Sequence, residues 1–356
     1  CDFFDMLLAA KDTPVKLALP NQWLWDMIDE FIYQFQTFCQ YRSRVKNKSE
    51  DELKQLKENS ASWSVQKVLS YLQALVDKSD IQPHLRGEKE TSTFLESPTY
   101  KMLGYFSLVG LLRVHCLLAD YRLALKCVEG IDLSRKGPAP HGLFARVTLC
   151  HITVFYYVGW AYLMSRRYTD AIKTFSNILF YIARTKQYHT RSYQYDQILK
   201  KNEQMYALLA VAASLCPQQS LDENLVHQLR DKYGDRMGRM QSNNVDVGAY
   251  EELFAFACPK FISPAPPSYD SLPPNYNPQE AYRLQLRLFM VSSTHPRDPT
   301  SGRPPCRGHG HSPSCTRPRP RPPPPPCVPP ASFLSPAGRS VANQGSTMWP
   351  RIRPAA

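Results

Sequence analysis

Apolar residues recur at helical spacing through most of the first 290 positions, and nowhere is there a convincing run of period-two alternation. In "NQWLWDMIDEFIYQFQTFCQYR", Leu24, Ile28, Phe31, Ile32, Phe35 and Phe38 form one broad stripe. Pro20 precedes it, Asn21 is placed to cap it, and Asp26, Asp29 and Glu30 load its early turns with negative charge, as the helix dipole favours. A charged spacer over 42–60 leads to a second stripe at Val65, Val68, Leu69, Leu72, Leu75 and Val76. Residues 78–98, with Pro83, Gly87 and Pro98, read as a long surface loop. The run over 102–119 is the most apolar, but Arg113 and His115 interrupt it, so it predicts a buried helix rather than a membrane span. Further helices are expected at about 202–215 and 222–232, and another from Gln279. The class is all-α.

Within this series, "GWAYLMSRRYTDAIKTFSNIL" fits the tetratricopeptide pattern. Gly159 takes the small position where paired helices cross, and Tyr162 follows it. Tyr168 opens the second helix, with Ala171 and Phe175 beyond. A fainter copy places Tyr121, Ala124 and Val128 at corresponding positions, and the Gly/Pro-rich 135–142 segment accommodates the extra residues between copies. Small residues at fixed steps let antiparallel helices approach, and large ones fill the gaps. That is solenoid construction, whose working part is an extended surface.

Composition divides the chain. Residues 291–356 hold 17 of the 31 prolines, nine arginines, no lysine and one acid, so about +8 of the formal +12 lies there and the helical body is only mildly basic. The overall excess of positive charge therefore does not make the body a nucleic-acid binder. The tail, expected to be disordered, has the residue preferences of G+C-rich codons, as in intronic or out-of-frame sequence. Cys39, Cys116, Cys127, Cys150, Cys216 and Cys258 lie singly in apolar or helical stretches, as reduced core cysteines do. No signal peptide is visible, and a start at Cys1 is expected of a fragment. A reduced, soluble, intracellular protein is the expectation.

Candidate chemistry is sparse. Phosphate loops, dinucleotide fingerprints, nucleophile elbows and zinc-protease motifs do not occur. Asp26 and Glu30 lie one turn apart, as two carboxylates on a solvated face do. His115–Cys116 and Cys150–His151 are neighbours on helices, so their side chains diverge by about 100° and form no dyad. In the tail, Cys306, His309, His311 and Cys315 offer four zinc-ligand types without a surrounding apolar mini-core. The run "RPRPRPPPPP" suits a polyproline helix. Candidate partner contacts are few. Trp23 and Trp25 cannot both face the Leu24–Ile28 stripe, so one stands at its edge, to cover the core or anchor a partner. Ser165, Arg166 and Arg167 form the turn between paired helices, either meeting an acidic partner or RNA or remaining solvent-exposed.

Several long segments, including residues 17–42, 100–115, 156–186, 203–217 and 250–264, closely resemble the subunit L family of eukaryotic translation initiation factor 3, in order from about Asp2 to Phe289. The resemblance implies a helical-repeat region followed by a PCI domain, a helical segment ending in a winged helix. It implies a noncatalytic scaffold in a cytoplasmic complex that binds the small ribosomal subunit and supports preinitiation assembly, with subunits K and E as neighbours. No cofactor, metal, membrane or small-molecule substrate goes with it, and direct RNA contact is left open. On this basis the chain divides into an N-terminal segment (1–20), a helical-repeat domain (21–262), a Pro-rich linker (263–278), the start of the PCI region (279–290) and a tail (291–356) in place of the remaining PCI and winged-helix sequence. Weakened incorporation into the complex follows as an expectation. The rival expectation is a free binding module that acts outside the complex or competes with it.

Overall fold

The computed structural model describes residues 2–88, 92–131, 133, 147–190, 192–242 and 246–294; the tail, with its four zinc-ligand types and polyproline run, lies outside them. Among the described residues the architecture is helical throughout, with no strand. The helices are α1 (Asp2–Ala9), α2 (Asn21–Ser43), α3 (Glu50–Glu58), α4 (Val65–Ser79), α5 (Ile81–Arg86), α6 (Thr93–Glu96) and α7 (Pro98–Leu117). They continue as α8 (Tyr121–Cys127), α9 (Thr148–Met164), α10 (Tyr168–His189), α11 (Tyr195–Leu215), α12 (Glu223–Gln241), α13 (Val247–Ala257) and α14 (Glu280–Thr294).

Packing passes from helix to helix along the chain. α2 and α4 lie against α7, α7 meets α8 and α9, α9 meets α10 and α11, and α11 carries α12 and α13. Helix α14 packs on α13. Such neighbour-to-neighbour contact is what makes a solenoid. The first 20 residues belong to the body too, since α1 packs on α4 and buries Phe4 and Leu7. Helices α7, α9 and α11 are apolar around most of their circumference and form the central row. Arg113 and His115 sit on α7 without turning it into a membrane helix, and no described helix is long and apolar enough to cross a membrane.

The crossing points rest on small residues. A Cβ at Gly159 would lie 2.4 Å from the Phe175 ring, so α9 and α10 can approach only because Gly159 lacks one. Ala171 and Phe175 are fully buried, whereas Tyr162 and Tyr168 are half-buried. In the fainter copy Ala124 and Val128 are buried; Val128 is the residue just after α8 rather than part of it. Gly104 in α7 makes an equally close approach to Ser79 of α4, where a Cβ would fall 1.8 Å from Ser79 Oγ.

Three sequence expectations are corrected. The supposed loop over 78–98 contains the end of α4, all of α5 and α6 and the start of α7. Pro83 sits in the first turn of α5, Gly87 ends that helix at φ +80°, and Pro98 opens α7, so these residues punctuate helices. Helix α12 runs to Gln241 rather than stopping near 232: it passes Gly234 and Gly238, and Arg236 and Arg239 tie its end to Glu252 and Asp246 at 2.6 and 3.2 Å. Asn21 is the first residue of α2, not its cap; the cap position is Pro20, which makes no side-chain cap bond.

Candidate interaction surfaces

The edge tryptophan is Trp23, 61% exposed at the start of α2. Trp25 is buried, its ring edge-on to Phe106 at 5.6 Å. Nearby Asp26 accepts from Gln22 Nε2 at 2.9 Å and from the Tyr193 hydroxyl at 2.7 Å, while Glu30 accepts from Gln34. The two carboxylates thus serve separate surface bonds.

Ser165, Arg166 and Arg167 are exposed in the α9–α10 turn. Arg166 has φ +59°, which makes the reversal tight. Arg167 is held on two sides, by Asp170 at 2.7 Å and by the Tyr162 ring, 4.4 Å below its guanidinium. Half of this turn is therefore fixed by its own helix pair. Tyr121 donates its hydroxyl to Gln285 Oε1 at 2.7 Å, which fastens α14 to the start of α8.

In the histidine–cysteine neighbours both thiols, Cys116 and Cys150, are fully buried in the core. Burial pushes the Cys116 and Cys150 thiols well above their ordinary range, lowers His115 and takes His151 down to about 4. The six described cysteines form no disulfide, and no group of three or more metal-ligating side chains occurs among the described residues.

A feature the sequence did not disclose is a cleft of about 1080 Å³ where α2, α7, α9 and α11 converge under the segment that leads into α14. Its floor carries an ion pair between Arg113 of α7 and Asp29 of α2, and Arg113 also bonds the Tyr157 side chain. Burial works against the Arg113 charge, but Tyr157 and Asp29 outweigh it and hold its pKa high. Beside them Lys201 of α11 places its ammonium 3.5 Å from the Tyr156 ring centre and 5.4 Å from that of Tyr157. Burial first, then the neighbouring Arg113, brings the Lys201 pKa down to about 7, against the partial opposition of Asp29. Gln204, one turn further along α11, is buried and gives its Nε2 to the Phe256 carbonyl at 3.4 Å, while its Oε1 has no partner. The Pro-rich segment closes one side: the Tyr276 hydroxyl donates to the Ser43 carbonyl at 2.7 Å, and Lys57 pairs with Asp270 at 2.5 Å. The only sequence sign of this site was a lone arginine in an apolar helix.

Helices stacked in series and crossed at glycine and alanine define a helical-repeat protein. The family model for RNA polymerase I-associated factor PAF67 matches residues 1–297, and the chain belongs to that family. It is 51% identical over 298 residues to eukaryotic translation initiation factor 3 subunit L of Nematostella vectensis, covering 82% of this chain and 55% of that protein. The same-named protein of Mus musculus is 51% identical over 297 residues, covering 81% and 51%, and that of Mycosarcoma maydis 53% over 277, covering 76% and 40%. The chain spans about half the length of the curated relatives it matches.

Proposed function

We propose that this chain is a noncatalytic scaffold subunit of the cytoplasmic initiation factor 3 complex and supports preinitiation assembly on the small ribosomal subunit. The observation that carries the reading is identity near 50%, over most of the described helical body, to proteins named as subunit L of that factor. The physical character of the body supports it, since a solenoid with wide faces binds neighbours by shape and charge. Subunits K and E are the proposed neighbours. Trp23 and the Ser165–Arg167 turn are the proposed contact points, Trp23 because a large exposed aromatic gains most from being covered. Affinity purification of the tagged chain from cells tests this. Recovery of subunits K and E is expected, and recovery of neither would sink the proposal.

A further inference from the structure

We propose that the α2–α7–α9–α11 cleft is a binding site for an extended acidic segment of a partner polypeptide. Six cations line it: Arg44, Lys46, Arg113, Lys200, Lys201 and Lys260; Asp29 is the one carboxylate among its described lining residues. On the floor Arg113 already pairs with Asp29, so Lys201, set against the Tyr156 and Tyr157 rings, has no carboxylate of its own. Arg44, Lys46, Lys200 and Lys260 are exposed on the rim, and none has a carboxylate within 4 Å among the described residues. A carboxylate entering the cleft would supply the missing charge where water is partly excluded.

A polypeptide fits better than a nucleic acid because of the amides. Gln36, Gln40, Gln197 and Gln204 line the same walls, and the buried Gln204 Oε1 lacks a donor. Glutamine amides present acceptors as well as donors, which match the alternating N–H and C=O of an extended peptide. A phosphodiester backbone offers mainly acceptors and would leave Gln204 Oε1 unmet. Tyr33 and Phe256, each about half exposed, give the lips apolar surface for the residues flanking the acid. This site does not depend on membership of the initiation complex, and its test uses the purified full chain.

The probe is a fluorescein-labelled dodecapeptide of four Glu-Gly-Leu repeats, read by anisotropy at low salt. Saturable binding is expected, weakened roughly tenfold or more by the rim pair Lys200→Glu and Lys260→Glu, whose exposed positions leave the fold intact. Gln204→Leu should weaken it several-fold with circular dichroism unchanged. As a control for the arginine-rich tail, Arg319→Glu with Arg321→Glu should leave binding unaltered. Failure of the peptide to bind, equal binding by the rim variant, or loss in the tail variant would overturn the proposal. So would tighter, rim-dependent binding of a twelve-residue oligouridylate, which would make the cleft a nucleic-acid site.

Discussion

Gly159 and Lys201 show how single residues set local energies. At Gly159 an added methyl meets the Phe175 ring at 2.4 Å, so the ring must shift within the core in which it is fully buried. Gly159→Ala should therefore lower stability by about 1–3 kcal/mol, although alanine is the better helix former. A midpoint shift in urea unfolding with unchanged slope would check this, and a stabilised variant would show that the α9–α10 contact is looser than described. Lys201 acts through charge. Between about pH 7 and the ordinary lysine value of 10.5 the unfolded chain holds a proton that the folded chain lacks, so this group makes stability rise with pH across that window. Below about 7 the fold carries the full penalty of the enclosed ammonium. Lys201→Met, which leaves Asp29 paired with Arg113, should then stabilise the protein by about 1–4 kcal/mol at pH 6, with the gain fading toward pH 10. A gain independent of pH would contradict the assignment. Arg113, Lys200, Asp29 and the tyrosines 156 and 157 are the charged or titratable groups around it.

At the scale of elements, the long helices were legible because apolar periodicity is a direct record of burial. Leu24, Ile28, Phe31, Ile32 and Phe35 are all buried in α2 as their spacing required, and only Phe38 slips to a half-buried position while Cys39 takes its place. Short helices were not legible: α5 and α6 span six and four residues, too few for periodicity to register, and their Pro and Gly boundaries imitate a loop. The cleft was hidden for another reason. Asp29, Arg113 and Lys201 are 84 and 88 residues apart along the chain, and only the packing of four helices brings them together. Helix α14 offers a direct test of its two faces. Phe289 is buried against Phe254, with stacked rings 5.0 Å apart, while Leu288 beside it is 52% exposed. Phe289→Ala should cost about 3–5 kcal/mol and Leu288→Lys less than about 0.5 kcal/mol in thermal unfolding of the isolated chain. Comparable losses at both positions would mean that α14 lies differently on α13.

For the whole molecule, packing is organised around the central row of α7, α9 and α11, against which most of the flanking helices lie. Trp23 and the cationic cleft, left exposed by that packing, are the surfaces on which the proposed scaffold would be built. The measurement that tests the central claim most directly is sedimentation of the tagged chain in cell lysate. The scaffold account predicts migration with the small ribosomal subunit. Migration solely as a light species, with the chain intact and folded, would contradict it and favour a free binding module.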